Sequence, residues 1–112
     1  MKIAIPTANE MMCQHFGHCE KFFLFEVDKE EKIIKNVVKL TPPPHEPGLL
    51  PKWLGEKEAN LIIAGGMGVR AQSLFNENGV EVITGAQMKE PQALVEDYLD
   101  GKLETGENAC DH

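Results

Sequence analysis

In the stretch CQHFGHC, two thiols and two imidazoles fall within seven positions: Cys13, His15, His18 and Cys19. Thiolates and imidazoles are the soft donors that zinc, copper(I) and iron-sulfur species take, whereas hard ions call for carboxylates. Gly17 lets the stretch bend enough to bring both sulfurs toward one ion or cluster. No C-x-x-C knuckle is present, so the spacing is not that of a structural zinc finger. The alternative is that the cysteines are buried small residues and the histidines solvated loop residues. Four soft donors so close together have little packing rationale, and the stretch is read as a metal- or cluster-binding loop. Met11 and Met12 ahead of it are read as core gap-fillers rather than ligands.

A second feature is IAGGMGVRA, where Gly65, Gly66 and Gly68 lie between a strand and a helix. Free amides of such a turn, together with the helix dipole, attract an anion, and Arg70 in the first helical turn adds one cation. The G-x-G-x-x-G spacing fails and no Lys-Ser/Thr pair follows, so neither a dinucleotide nor a P-loop site is read here. Tight strand-to-helix packing explains the same glycines, and both readings stand. At the end of the chain, Cys110, His112 and the terminal carboxylate are further donors in a tail, where mobility is the usual condition. His45, isolated among prolines, reads as a solvated loop residue.

The elements that must hold these residues follow from hydrophobic periodicity. KIAIP reads as a short strand closed by Pro6, and Thr7 to Gly17 as a loop. KFFLFEVD and EKIIKNVVKL, joined by a charged turn, make an antiparallel hairpin. The prolines of TPPPHEPG enforce an extended connector. Beyond it, Leu49 to Ala59 is helical, with Pro51 tolerated in its first turn. ANLIIAGG is a buried strand and VRAQSLFNENG a helix stopped by Gly79. VEVITG is a strand, and EPQALVEDYLDG a helix between Pro91 and Gly101. Strands linked by crossover helices run parallel, so the chain predicts an α/β fold with a mixed five-stranded sheet, βββαβαβα, flanked by helices. That order is the layout of the ribonuclease H-like fold. At 112 residues a single domain over 1–112 is expected, with a flexible C-terminal tail over about 104–112.

Composition removes several function classes. Eleven Lys and Arg against eighteen Asp and Glu give a charge of −7 with no basic stripe, which disfavours nucleic acid as a partner. The longest apolar run, LIIAGGMGV, is too short for a bilayer, and MKIAIPTANE lacks the pattern of a secretory signal, so a cytoplasmic protein with no membrane partner is expected. Three cysteines are an odd number, which argues for reduced thiols over a disulfide framework. The first strand carries no acid to hold a hard ion, and Ser73 lies in mid-helix, so neither nuclease nor serine-hydrolase chemistry is indicated.

MKIAIPT, HFGHCEKFFLFEV, PGLLPKWLGEKEANLIIAGGMGVRA, GVEVITGA and ENACDH together resemble the dinitrogenase iron-molybdenum cofactor biosynthesis family. The resemblance implies a ribonuclease H-like fold without nuclease function, and binding of iron-sulfur-based or molybdenum-containing clusters. It also implies a ligand role for the histidine of H-F-G, His15; Cys13, His18 and Cys19 are added by their chemistry. The resulting expectation is a non-enzymatic carrier or store of a metal-sulfur cluster that serves a client apoprotein or cofactor-assembly protein. Cys13, His15, His18 and Cys19 would hold the metal, while Gly65, Gly66, Gly68 and Arg70 would steady an anionic cluster. Two chains pooling their loops as a homodimer would supply more ligands. The competing expectations are a metal-free regulatory module that binds an anion or a protein, and a thiol-dependent redox enzyme.

Overall fold

A computed structural model describes residues 1–13, 19–44 and 48–106. Its elements are β1 (Lys2–Ala8), β2 (Met11–Met12), β3 (Lys21–Asp28), β4 (Ile33–Leu40), α1 (Leu49–Glu56), β5 (Leu61–Ile63), α2 (Val69–Glu77), β6 (Glu81–Ile83) and α3 (Pro91–Leu99). They form one mixed sheet in the order β4-β3-β1-β5-β6, with β2 paired to β1. β3 and β4 are antiparallel to their neighbours, whereas β1, β5 and β6 run parallel.

The period of two along each strand divides the core into two layers. Ile3, Ile5, Phe23, Phe25, Val27 and Ile63 face Leu94, Val95 and Leu99 of α3. Ala4, Phe22, Leu24 and Ile62 face Leu50 and Leu54 of α1 and Phe75 of α2. β1 lies between both layers, which is why five successive residues of it are buried. Trp53 of α1 meets Phe22 edge-on at 5.7 Å between ring centres, closing the second layer. Among the described residues no helix is long and apolar enough to cross a membrane.

Two expectations are corrected. The sheet has six strands rather than five, because the segment after β1 turns back through Asn9 and Glu10 and pairs Met12 with Thr7 and Met11 with Ala8. Both turn residues have positive φ, 55° and 65°, the geometry that matches the twist of a two-residue hairpin. β1 also continues through Pro6 to Ala8. Proline is tolerated there because pairing with β5 stops at Ala4, and the Pro6 carbonyl still accepts the Cys13 N–H at 2.8 Å.

The C-terminal helix closes at Gly101, and the chain then returns across the end of β6. Leu103 packs on the α3 layer, Thr105 bridges to Ala86, and the Gly106 N–H donates to the Gly85 carbonyl at 2.7 Å. Residues 107–112 follow from this anchored segment in sequence and lie outside the described residues.

Candidate functional site

The three parallel strands end on the same side of the sheet, and in open α/β sheets the space beyond such carboxyl ends is where ligands bind. Three segments meet there: the residues after β2, the glycines after β5, and the loop after β6.

Cys13 follows β2 directly. Its N–H is held by the Pro6 carbonyl and it is 6% exposed. On the opposite edge of β1, the Glu20 N–H donates to the Thr7 carbonyl at 2.7 Å, so Cys13 and Glu20 are tied to adjacent residues of one strand. Thr7 itself is buried, and its hydroxyl donates to the Lys21 carbonyl at 3.0 Å, locking the start of β3 to β1. Cys19 is half-buried against the α1–α2 layer. Burial pushes its thiol up to about 12, the neighbouring Cys13 adds to the rise, and a backbone hydrogen bond opposes it. Neither Cys13 nor Cys19 forms a disulfide, and Cys13 lies close enough to act on the Cys19 thiol. The fold therefore brings the two predicted thiols together at the end of β1.

His15 and His18 lie outside the described residues, as do His45, Cys110 and His112. Among the described residues, no three His, Cys, Asp or Glu side chains converge as a group able to hold a metal ion.

The glycine turn divides in two. Gly65 and Gly66 are buried, and the Gly65 carbonyl accepts the Gly85 N–H at 2.9 Å, tying this turn to the loop after β6. Gly68 is exposed, caps α2 in an extended conformation, and has open space where a side chain would point. Arg70 in the first turn of α2 is exposed too. The Gln72 side-chain amide donates to the Met67 carbonyl at 2.9 Å, fixing the turn to the helix.

The loop after β6 reaches both other segments. Its Gly85 lies between Gly65 and Gly106 through successive backbone hydrogen bonds, and its Lys89 carbonyl accepts the Met12 N–H at 3.0 Å. Sequence reading assigned this loop no role. Its signal was Gly85 itself, whose φ of 79° favours glycine and where any side chain would press on the Gly106 backbone and force it to shift. Also unassigned was a groove beside the Asn9–Glu10 turn, floored by Phe23 and Phe25. The alternation in KFFLFEV places those two rings on one face.

A sequence profile of the family described as "Dinitrogenase iron-molybdenum cofactor" matches residues 1–101. An uncharacterized protein of Methanocaldococcus jannaschii is 31% identical over 107 residues, covering 93% of this chain and 90% of that protein. The crystal structure of PH0822 superposes with a TM-score of 0.86 at 28% identity, covering 94% of each chain. The apo form of the orange protein from Desulfovibrio gigas shares the fold, with a TM-score of 0.65 at 19% identity over 96% of this chain and 93% of that one.

Proposed function

The chain belongs to the dinitrogenase iron-molybdenum cofactor family, and from that premise we propose that it binds and hands on an iron-sulfur-based or molybdenum-containing cluster in metallocofactor assembly. The cluster is cargo rather than a resident cofactor. The observation that carries the reading is the pairing of Cys13 and Cys19 at the carboxyl end of β1, beside the turns that follow β5 and β6. In this reading both thiolates and the imidazoles of His15 and His18 bind metal, and Gly68, Arg70 and the amides of Gly65 and Gly66 steady the negative charge of the cluster. The strand arrangement, antiparallel on one side of β1 and a parallel βαβ pair on the other, supports the ribonuclease H-like assignment.

A carrier must release what it binds, and the raised Cys19 thiol suits release. Coordination has to displace a proton that burial holds in place, so proton return favours departure of the metal. We place the chain in the cytoplasm as a single domain over 1–112. It acts without catalysis, delivers to a client apoprotein or assembly protein, and pairs with a second copy where one loop supplies too few ligands.

The test is anaerobic reconstitution with iron, sulfide and molybdate, followed by desalting and analysis of metal and acid-labile sulfide. The wild type is expected to retain both, and Cys13→Ser, His15→Ala and Cys19→Ser each to retain less. Equal retention in all four proteins would end the carrier reading.

A further inference from the structure

The strand register sets both thiols of the cysteine pair on one face of the sheet. Met12 of β2 packs into the α3 layer, and successive side chains of an extended chain point to opposite faces. Cys13, one residue further and still hydrogen-bonded to the Pro6 carbonyl, therefore turns to the α1–α2 face. Cys19 packs on that same face, against the layer that holds Phe22 and Leu54. Pro6 stands between the two approaches: Cys13 is bonded to it from one side, and Phe22 is its register partner on the other. The action of Cys13 on the Cys19 thiol agrees with that placement.

Five residues separate the cysteines in sequence. The hydrogen bonds of Cys13 to Pro6 and of Glu20 to Thr7 fix both ends of that span on neighbouring residues of β1. Cys13 follows β2 and Cys19 precedes β3, so a bond between them leaves the pairing of β1 with β3 intact. Metal is bound by thiolate, and a sulfur that enters a disulfide has no thiolate to offer. Oxidation of this pair would therefore remove two of the four soft donors of the loop at once.

We propose that Cys13 and Cys19 form a reversible disulfide that switches the loop between a metal-binding dithiol and a closed form that does not bind metal. The gating rests on the carrier reading; the bond itself does not. The oxidant is a small-molecule disulfide of the glutathione class. Cys19, the more exposed of the two, attacks as thiolate one sulfur of that disulfide, and one glutathione leaves as thiolate. Cys13 then gives up its proton and attacks the Cys19 sulfur, the bond from Cys19 to glutathione breaks, and the second glutathione leaves. Two protein thiols and one small disulfide become one protein disulfide and two small thiols. The two electrons pass to glutathione, and the two protons end on its sulfurs.

The test uses the metal-free chain under anaerobic conditions, either oxidised to completion with oxidised glutathione or kept reduced with a phosphine, and then desalted. Peptide mapping of the oxidised wild type is expected to show Cys13 linked to Cys19 with the loss of two hydrogens, and Cys110→Ser should give the same link. Titration with cadmium(II) alone, read by its ultraviolet thiolate absorption, should show binding about tenfold or more tighter in the reduced chain than in the oxidised one. Phosphine treatment of the oxidised chain should restore it. Links to Cys110 in place of the Cys13–Cys19 bond, glutathione left on both cysteines, or a bond that leaves cadmium affinity unchanged would overturn the inference. If the bond forms and the reduced chain binds no cadmium, the thiol-ligand reading fails and the gate fails with it. If the reduced chain binds cadmium and no bond forms, the carrier reading stands and this inference alone fails. The deciding arms use the wild-type chain, so none depends on the folding of a variant.

Discussion

Replacing Gly85 with alanine tests how the three segments at the carboxyl end of the sheet are held together. At Gly85 the backbone has a φ of 79°, and an added Cβ would run into the Gly106 carbonyl. The left-handed conformation alone costs an alanine about 1–2 kcal/mol. The collision is with backbone rather than with a flexible side chain, so residues 105–106 must lift away, and the Gly106 hydrogen bond to Gly85 goes with them. Losing that bond and the bridge to Ala86 costs about 0.5–1.5 kcal/mol each. The whole effect is about 2–5 kcal/mol, a large share of the stability of a domain this size. Gly79→Ala is the internal control: its φ is 78°, yet nothing lies within 4 Å of the new methyl, so only the conformational cost applies. Urea unfolding of both variants should put Gly85→Ala at least 1 kcal/mol below Gly79→Ala, and amide exchange at Gly106 should accelerate in the first variant only. Equal stabilities, or an unchanged Gly106 amide, would refute the coupling of the C-terminal segment to the turn after β6.

Other outcomes follow from the same geometry. Glu10→Gly relieves a positive φ and gives up an exposed ion pair worth about 0–1 kcal/mol, so thermal unfolding should show a stability unchanged or raised by up to about 1 kcal/mol. Leu54→Ala empties a fully buried site between α1 and the sheet and should cost about 2–5 kcal/mol in urea unfolding. In the metal-free chain the Cys19 thiol is raised in the folded state from its ordinary 9.0 to about 12, so between those values the folded chain holds a proton that the unfolded chain has lost. Stability should therefore be intact below pH 9 and fall as the pH rises from 9 toward 12, and Cys19→Ser should flatten that decline. Alkylation of Cys19 at pH 8 should be slow in the native chain and fast in urea, as followed by mass spectrometry.

The elements with strong periodicity were legible in the sequence. KFFLFEVD and its partner announced a hairpin, and both later helices ended at Gly79 and Gly101 as their sequences indicate. β2 was not legible, because a two-residue strand has no period, and the positive φ that makes its hairpin falls on Asn9 and Glu10 rather than on a glycine. Pro6 misled for a related reason: whether a proline ends a strand depends on which neighbour needs its N–H, and that is set by where β5 stops. At the candidate site, the proximity of Cys13 and Cys19 was readable from their spacing. The raised Cys19 thiol was not, since it comes from burial against helices far away in sequence. The groove escaped notice because Glu10, Lys39 and Glu90 are ordinary surface residues until the sheet sets them around two phenylalanines.

X-ray absorption at the metal edge of the reconstituted chain tests the central claim most directly, because it reports the atoms bound to the metal. Cysteine sulfur and a lighter nitrogen neighbour are expected in the wild type, with the protein sulfur contribution lost in the double variant Cys13→Ser/Cys19→Ser. A wild-type spectrum explained by oxygen and nitrogen neighbours alone, or one that the double variant reproduces, would contradict it.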